Sequence, residues 1–449
     1  MGKSIKINKG LDIRMVGEAE KVTVSPDGVD TIVIKPTDFH FLVPKCLVNP
    51  GDEVKAGTPL FYSKKHPEVK FCSPVSGEVV EVVRGEKRRL MSIKILADKE
   101  TRYLDVQVPS LETASKEEII STLCENGLWA YIKQRPFDVI ANPRVAPKGI
   151  FISAFDSNPL APDLDFALQG YGPEFQKGID VLAKLAPVHI TAHTEKTKSD
   201  VFLKAANAQI HTINGPHPSG NVGVQIHHID PINKGEVAWT VNAQDVAIIG
   251  RLFTEKKYNA IRVVAITGSE VNRRRYAKVI TGTPLKALLQ DNINTTHPVR
   301  IISGNVLTGT KESMDGYLGF YDNQVTVIPE GYEPQFFGWI LPGFGKFSMS
   351  KTFFSWLTPS KKYTLNTSLN GEERAFVVTG EYEKVFPMNI YPVYLLKAIL
   401  ANDIEKMEEL GIYEVAPEDF ALCEFVCTSK IETQAIVRQG LDTLMIETE

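Results

Sequence analysis

Residues 42–83 constrain the fold of this chain more than any other stretch of its sequence. Within them, the turn signature Pro50-Gly-Asp52 precedes one alternating run. A second signature, Pro74-Val-Ser-Gly77, precedes another run, Glu78-Val-Val-Glu-Val82. Glycine supplies the positive φ that a chain reversal needs, and alternation of apolar with polar residues marks half-buried strands. The stretch therefore predicts two β-rich halves of similar design.

Two such halves wrapped on each other predict a small barrel-sandwich, the shape of biotinyl and lipoyl carrier domains. Residues 1–41 carry further short strand patterns, which we expect to complete it. Carrier chemistry requires an acylated lysine at the tip of the hairpin between the halves. Lys64 and Lys65 lie near that tip, but within Ser-Lys-Lys-His rather than the setting that modifying ligases recognise. We predict a scaffold role for the sandwich, with an acyl-lysine carrier as the alternative.

The bulk composition narrows the class of protein. The 449 residues suffice for about three domains, and the 43% apolar content is enough for each domain to form a hydrophobic core. A net charge of −4 disfavours nucleic acid as the main partner, because phosphate binding needs a basic excess. Five cysteines, few and odd in number, predict reduced thiols in the cytoplasm. The sequence shows no signal peptide and no apolar run of transmembrane length, so we expect no membrane-spanning segment.

Strand and helix patterns alternate after the sandwich. Ser115 with Glu118 three residues later forms a capping box, which predicts a helix ending near Asn126-Gly127. Buried-strand patterns occur at residues 150–154, 188–192 and 209–213. Helical patterns between and after them occupy residues 173–186, 199–207 and 245–253. This alternation predicts a parallel sheet with flanking helices, a Rossmann-like layer.

Two glycine-rich segments depart from the phosphate-binding loops that such a layer often carries. Gly170-Tyr-Gly172 precedes a helix, but Phe175 stands where a dinucleotide loop has its third glycine. In the segment from Gly304 to Lys311 the lysine comes one place late, and Glu312 would repel a triphosphate. We therefore interpret the first segment as a helix start and reject triphosphate binding at the second.

The remaining candidate loop is Asn214-Gly-Pro-His-Pro-Ser-Gly-Asn-Val-Gly223. It follows a predicted strand, so it should lie at the carboxyl edge of the sheet, where ligands usually bind. We predict a ligand or subunit contact through Gly215, His217, Ser219 and Gly220. A metal site is an alternative, because four histidines lie near: His211, His217, His227 and His228. Their spacing matches no zinc signature, and a Gly/Pro-shaped connection with satisfied histidines is the other alternative.

The chain from residue 258 changes pattern again. The order strand, strand, helix, strand across residues 262–304 predicts a β-grasp module, similar to an SLBB domain, with Gly282-Thr-Pro-Leu285 opening its helix. The C-terminal 65 residues carry helical patterns. Cys423 and Cys427 lie four apart there, and without further ligands nearby we interpret them as core thiols rather than a metal site.

Residues 336–356 are rich in aromatic side chains. Eight of them are Phe or Trp, against 9% aromatic residues chain-wide. Four lysines interleave with or follow these rings: Lys346, Lys351, Lys361 and Lys362. Rings mixed with lysines suit a membrane interface or a hydrophobic partner surface. We predict such a surface at Phe353, Phe354 and Trp356, with an ordinary β core as the alternative.

Several motifs together resemble one family, the A subunit of the sodium-translocating NADH:quinone reductase, a bacterial respiratory pump. The matching segments, which span nearly the whole chain in order, are Lys9-Gly-Leu-Asp-Ile13, Pro50-Gly-Asp52, Ser73-Pro-Val-Ser-Gly77, Ile152-Ser-Ala-Phe-Asp-Ser-Asn-Pro-Leu160, Asn214-Gly-Pro-His-Pro-Ser-Gly220, Gln244-Asp-Val-Ala-Ile-Ile-Gly250 and Ala421-Leu-Cys-Glu-Phe-Val-Cys427. The family is itself similar to the C subunit of the Rnf complex and the NADH-binding subunit of complex I. Those relatives carry a glycine-rich flavin/NADH loop and iron–sulfur cysteines. The loop is missing near Asn126–Asp138 here, and two cysteines are too few for a four-iron cluster.

The resemblance implies a peripheral chain without catalytic, cofactor or metal sites of its own, docked on the cytoplasmic face of the inner membrane. The partner B to F subunits would hold the flavins, iron–sulfur centres, NADH site and sodium path. The complex would oxidise NADH, reduce ubiquinone or menaquinone and export sodium, and this chain would assist quinone reduction or assembly. The alternatives are a purely structural docking subunit or a Rnf-type electron-transport subunit.

These patterns divide the chain into five predicted regions. Residues 1–105 form the barrel-sandwich, residues 106–255 the Rossmann-like domain, and residues 256–335 the β-grasp domain. Residues 336–383 form an aromatic and lysine-rich segment of strand and loop, and residues 384–449 a helical domain. The fold class is thus multidomain α/β.

Overall fold

The computed structural model describes residues 2–26, 28–331, 337–338 and 341–448. Phe336 and Trp339 of the predicted aromatic stretch lie outside the described residues. In chain order the strands are β1 (Ser4–Lys6), β2 (Glu20–Val24), β3 (Thr31–Ile34), β4 (Pro44–Cys46), β5 (Glu53–Val54), β6 (Pro59–Ser63), β7 (Lys70–Cys72), β8 (Gly77–Arg84), β9 (Leu90–Ala97), β10 (Lys133–Arg135), β11 (Val139–Ile140), β12 (Ile150–Ser153), β13 (Val188–His193), β14 (Gln209–Asn214), β15 (Ala238–Thr240), β16 (Ile261–Thr267), β17 (Arg275–Ile280), β18 (Val299–Ser303), β19 (Thr310–Glu312) and β20 (Gln324–Pro329). The α-helices are α1 (Lys116–Glu125), α2 (Leu164–Ala167), α3 (Gly172–Ala183), α4 (Asp200–Leu203), α5 (Val222–Ile229), α6 (Ala243–Glu255), α7 (Leu285–Leu289), α8 (Tyr382–Val385), α9 (Pro392–Leu400), α10 (Ile404–Glu409), α11 (Ala421–Val426) and α12 (Thr433–Thr448).

Strands β3 to β9 form the predicted barrel-sandwich. One sheet has the order β3-β9-β8-β5 and the other has the order β4-β6-β7. In the core, Phe61 stacks on Phe71 with ring centroids 4.5 Å apart, and Phe39 lies 4.6 Å from Phe71. Gly77 has a φ of +154°, and a Cβ there would lie 1.9 Å from the carbonyl oxygen of Leu96. The second turn therefore requires glycine where it enters β8.

The first two strands lie outside the sandwich, contrary to the expectation for residues 1–41. β1 pairs in parallel with β14 of the Rossmann-like sheet. β2 pairs in parallel with β17 of the β-grasp sheet. Alternation of apolar and polar residues predicts a half-buried strand. It does not predict the strand with which that strand pairs, because pairing depends on packing between segments far apart in the sequence. The N-terminal segment therefore ties three regions of the chain together.

A seven-stranded sheet confirms the Rossmann-like layer. Its order is β1-β14-β13-β12-β15-β10-β11, with parallel pairs from β1 to β15 and an antiparallel hairpin, β10–β11, at the edge. Successive strands step outward from β12 to β14, and β15 then joins the other side of β12. The loops after β12 and β14 therefore lie at the carboxyl edge near this reversal, where ligands bind in related architectures.

Helices α1, α3, α4 and α6 begin within two residues of the predicted positions, whereas α2 and α5 were not predicted. The Ser115 hydroxyl accepts a hydrogen bond from Glu118 N, and the Glu118 carboxylate accepts one from Ser115 N, which confirms the capping box of α1. Helix α4 is shorter than the predicted residues 199–207. Helices α3 and α6 pack so closely that a Cβ on Gly250 would lie 1.8 Å from the Glu174 carbonyl oxygen, so this position requires glycine.

The β-grasp module has the predicted order of elements. Its six strands lie in the order β19-β18-β20-β16-β17-β2, with α7 between β17 and β18 in the chain. A buried ion pair joins the module to the Rossmann-like layer, with Arg262 Nη2 2.9 Å from Asp245 Oδ1. Both side chains are almost fully buried, so this contact between the two domains is shielded from water.

The C-terminal region is helical, as predicted, and its helices α8 to α12 pack around a core that also includes Ile7, Phe155 and Ile302 from the other regions. Cys423 and Cys427 are buried in that core, and the Tyr382 hydroxyl lies 2.9 Å from Cys427 Sγ. Burial raises the pKa of the Cys423 thiol well above its usual value, as expected for a core thiol. None of the helices in the described residues is long and apolar enough to cross a membrane.

Candidate functional site

The predicted contact loop after β14 is packed into the protein. His217 and Ser219 are buried, and His217 Nδ1 lies 2.9 Å from the Ser157 hydroxyl oxygen. That oxygen accepts a hydrogen bond of 2.8 Å from Gly220 N. The backbone N–H of His217 donates to Asp12 Oδ1 at 2.9 Å. The loop thus joins the segment after β12 to the N-terminal segment.

Two glycines let this loop approach its neighbours. A Cβ on Gly220 would lie 2.6 Å from Ser157 N, and one on Gly215 would lie 2.6 Å from Ile7 Cβ. Burial lowers the pKa of His217 to about 4, so its imidazole is neutral at pH 7. These contacts give each predicted residue a structural role, while the predicted ligand or subunit contact stays a prediction.

The other histidines near the loop have separate partners. His211 Nε2 lies 3.0 Å from His189 Nδ1, and His211 Nδ1 accepts from Lys3 N at 3.0 Å. His227 Nδ1 lies 2.6 Å from Glu414 Oε2, and His228 Nε2 lies 3.0 Å from the Pro387 carbonyl oxygen. In the part of the chain that the structure describes, no three His, Cys, Asp or Glu side chains come together as metal ligands.

Lys64 and Lys65 follow β6 in the loop toward β7, which is the hairpin position that the sequence predicts. Lys64 is exposed, and its backbone N–H donates to the Val43 carbonyl oxygen at 2.9 Å. Desolvation lowers the pKa of the Lys65 amine. Lys65 and His66 line a cavity, so this loop contributes to a site that the sequence did not indicate.

That cavity, which we call the junction cavity, encloses about 220 Å³ where the sandwich, the β10–β11 hairpin and α12 meet. Its apolar lining consists of Phe41, Leu42, Val69, Phe137, Val139, Ile140, Ala141 and Met445. Its polar lining consists of His40, Ser63, Lys65, His66, Gln134, Asn142 and Thr448. The Nδ1 atom of His66 is buried and has no hydrogen-bond partner among the described atoms. The cavity can therefore hold a mainly apolar molecule that offers a hydrogen-bonding group.

A second cavity of about 170 Å³ adjoins the first and shares His40, Val139 and Ile140 with it. Its walls are charged, and Lys133 Nζ lies 4.5 Å from the Tyr321 ring centroid and 3.5 Å from Asp138 Oδ2. Asp38 Oδ2 accepts a hydrogen bond of 2.9 Å from Phe320 N, and burial raises the pKa of Asp38 to about 6. We call these two adjoining cavities together the groove; the first is mainly apolar and the second carries charged side chains.

One ionic contact involves His40, which lines both cavities. His40 Nε2 lies 2.8 Å from Asp442 Oδ1, and Arg438 Nε donates to the same oxygen at 2.8 Å. His40 belongs to the sandwich and Asp442 to α12, so the contact joins opposite ends of the chain. The sequence carries no signal for this groove as a whole, because its walls come from segments hundreds of residues apart. One part of the groove to which the sequence drew attention is the stretch 126–138, where the glycine-rich loop of the related proteins is missing.

The aromatic segment is irregular in its described residues, where the sequence predicts strand and loop. It has one turn of 3-10 helix, Phe354–Leu357, and a single bridge from Tyr363 to Met15. Phe354 and Trp356 are exposed, and Phe353 is half-buried with Lys346 Nζ 5.1 Å from its ring centroid. The structure therefore brings these three rings to one short segment at the surface.

Comparisons with known proteins match nearly the whole chain. Family models described as the NqrA N-terminal barrel-sandwich hybrid domain, the NqrA second alpha/beta domain and the NQRA C-terminal (SLBB) domain match residues 5–98, 114–258 and 263–313. Three proteins, each the A subunit of a Na(+)-translocating NADH-quinone reductase, are similar over 98% of this chain. The Haemophilus influenzae (strain PittGG) protein is 38% identical, and the match covers 99% of its length. The protein of Neisseria meningitidis serogroup B is 35% identical with 99% of its length covered, and that of Rhodopirellula baltica is 36% identical with 97% of its length covered.

Proposed function

Because the chain belongs to the family of A subunits of the Na+-translocating NADH-quinone reductase, we propose that it serves as this subunit of such a sodium pump. The observation that supports this most strongly is the match of about 38% identity over 98% of the chain and 99% of a relative. Three domains of the family occur in the family's order along the chain. The chain then takes part in oxidation of NADH, reduction of a quinone and export of sodium ions.

The chain acts in this pump as a peripheral subunit on the cytoplasmic side. In this proposal, sodium crosses the bilayer through other subunits of the pump. Electron transfer needs flavin and iron–sulfur centres, which the partner subunits hold. The isolated chain is therefore colourless and does not oxidise NADH.

Co-purification tests this function. An affinity-tagged full-length chain is isolated in mild detergent from membranes of the organism that expresses it. We expect several membrane-spanning partners to accompany it and the preparation to show sodium-stimulated NADH:quinone reductase activity. Two results together would contradict the proposal: the tagged chain is isolated without partners, and a strain that lacks the chain keeps the same activity.

Within this function, the junction cavity is our candidate for a quinone contact. A quinone ring is flat and apolar and carries two carbonyl oxygens that accept hydrogen bonds. The lining of Leu42, Phe137 and Ile140 suits the ring, and the buried His66 Nδ1 faces no partner in the described structure. Desolvation lowers the pKa of His66, so its neutral ring can donate one hydrogen bond to a carbonyl. In this proposal the chain assists quinone reduction and carries out no redox step itself.

Thr448 and Ile446 on α12 provide a matched pair for testing this contact. Thr448 lines the cavity and is exposed, so we expect Thr448→Trp to reduce the cavity without adding bulk to the core. Ile446 is exposed on the same helix but does not line the cavity, so Ile446→Trp is the control. Binding of a short-chain ubiquinone analogue to the purified chain is followed by fluorescence titration. We expect saturable binding that Thr448→Trp weakens and Ile446→Trp leaves unchanged.

Two other functions make different predictions for the purified chain. A purely structural docking subunit still assembles with its partners but binds no quinone analogue. A Rnf-type electron-transport subunit shows flavin or iron–sulfur absorption in the visible range. The first result would contradict the proposed quinone contact but would leave the proposal that the chain is a subunit of the pump intact. The second would contradict the proposal that the redox centres belong to the partner subunits.

A further inference from the structure

We propose that residues 341–363 form a lipid-contact surface that binds the anionic headgroup region of a bilayer directly. We call these residues the aromatic strap. The proposal concerns a contact with phospholipid by this chain itself and does not depend on quinone binding. It rests on three properties of the strap: exposed apolar side chains, an excess of lysine, and a base that is fixed to the folded domains.

Large apolar side chains of the strap lie exposed to solvent. Phe344 is 70% exposed and Trp356 is 52% exposed. Leu341, Phe354 and Leu357 are also exposed, so the apolar surface continues along the strap. Phe344 and Phe354 lie 5.9 Å apart between ring centroids, which makes them neighbours on one surface. Contiguous apolar patches on a folded protein mark contacts with a partner or a membrane.

The charge of the strap is wholly positive. Residues 341–363 contain four lysines and no acidic residue, although the chain as a whole carries a net charge of −4. One of the four, Lys362, pairs with Glu18 at 2.8 Å. Lys346 lies 5.1 Å from the Phe353 ring centroid, and Lys351 lies 6.0 Å from that of Trp356. Cations and rings thus alternate over the same surface.

Fixed contacts hold the base of the strap while its outer residues stay exposed. Tyr363 is buried, its N–H donates to the Arg14 carbonyl oxygen at 2.9 Å, and its own carbonyl oxygen accepts from Val16 N at 3.0 Å. Inside the strap, Lys361 Nζ donates to the Phe344 carbonyl oxygen at 2.6 Å. Phe353 N donates to the Ser348 hydroxyl oxygen at 3.0 Å. The exposed rings are therefore presented by a structured turn.

This combination favours a lipid surface over a protein surface. Lysine is depleted at protein–protein interfaces, because its charge and mobile stem are costly to bury. At a bilayer surface, by contrast, tryptophan and other rings insert at headgroup level while lysines extend toward anionic headgroups. Each lysine near an anionic leaflet strengthens binding about fivefold at low salt. A strap of rings and lysines without acids matches the second environment.

Vesicle sedimentation of the full-length chain tests the proposal. The probes are vesicles of phosphatidylcholine with phosphatidylglycerol, compared with phosphatidylcholine alone. One variant, Phe354→Ser with Trp356→Ser, removes exposed rings, and another, Lys346→Gln with Lys351→Gln, removes charges. The matched controls replace exposed rings at the start of α9, Tyr391→Ser with Tyr394→Ser, and exposed lysines of the sandwich region, Lys55→Gln with Lys99→Gln. Circular dichroism confirms that each variant is folded.

We expect the unsubstituted chain to bind the anionic vesicles more tightly than the neutral ones, and to release them as salt rises. Each strap variant should weaken this binding about tenfold or more, while the controls bind normally. Equal binding by strap variants and controls would overturn the proposal. So would a strap variant that fails to assemble with detergent-purified partner subunits but still binds vesicles, because the surface would then serve a protein partner.

Discussion

Arg135 Nη1 donates a hydrogen bond of 2.9 Å to Asp419 Oδ2, and the two residues are 284 positions apart in the chain. Arg135 is 1% exposed and Asp419 is fully buried at its side chain. Arg135 lies in β10 of the edge hairpin, and Asp419 precedes α11 of the helical region. Arg135 also pairs with Glu418, which is partly exposed. The ion pair therefore fixes the hairpin that walls the junction cavity against the C-terminal helices.

Removal of the arginine should destabilise the protein strongly. Arg135→Met leaves the Asp419 carboxylate buried without its countercharge, and breaking one side of a buried pair costs about 3–5 kcal/mol. Urea unfolding measures this loss. The double variant Arg135→Met with Asp419→Asn removes the stranded charge, while its amide oxygen can still accept from Ala416 N. It should regain much of the loss. A single variant as stable as the double one would contradict this account.

Gly220→Ala should destabilise the contact loop by about 1–3 kcal/mol, because a side chain must be forced into filled space. The added Cβ would lie 2.6 Å from the backbone nitrogen of Ser157, which cannot move aside as a flexible side chain could. Gly345→Ala is the control, since a Cβ there meets nothing within 4 Å. Thermal unfolding followed by circular dichroism compares the two. Equal melting temperatures would show that the loop has room to relax.

Local sequence signals predicted much of the fold. The capping box at Ser115 located α1, and the βα alternation indicated the parallel sheet. In each case the signal lies within a short segment of the sequence and specifies the helix or strand formed by that same segment. The short hairpin β10–β11 was not predicted, because strands of three and two residues leave no periodicity to detect.

The groove was not predictable from local signals because it depends on contacts between distant segments. His40, Lys65, Gln134 and Met445 line the same cavity but lie in three different regions of the chain. The partner strands of β1 and β2 were missed for the same reason. The contact loop was recognised as a motif, but its side chains face inward. A Gly/Pro pattern predicts a tight turn of the backbone and does not predict which side chains are exposed.

Lys64→Ala with Lys65→Ala should leave the quinone reductase turnover of the assembled complex near normal at saturating quinone. Both lysines lie at the hairpin position of a carrier domain, but their sequence setting lacks the residues that modifying ligases recognise. Intact-mass measurement of the unsubstituted chain should show no acyl group on either lysine. Because Lys65 lines the junction cavity, the Michaelis constant for quinone is measured separately from turnover. Lost turnover in a fully assembled variant complex would restore the carrier hypothesis.

His217 should make the stability of the protein fall as the pH is lowered from about 6.5 to about 4. Burial holds its folded-state pKa at about 4, whereas an unfolded histidine has a pKa of about 6.5. Between these values the unfolded chain binds more protons than the folded chain, so the free energy of unfolding decreases with decreasing pH. The full effect is about 3 kcal/mol.

His217→Asn isolates this contribution, because the asparagine oxygen can still accept from Ser157 but does not titrate. Urea unfolding of both chains is measured across the range, and the difference between their free energies of unfolding is plotted against pH. Asp38, whose pKa burial raises to about 6, titrates in the opposite sense but is present in both chains and cancels. The unsubstituted chain should therefore lose its advantage steadily on acidification. A difference that stays constant from pH 7 to pH 4 would mean that His217 is not neutralised by burial.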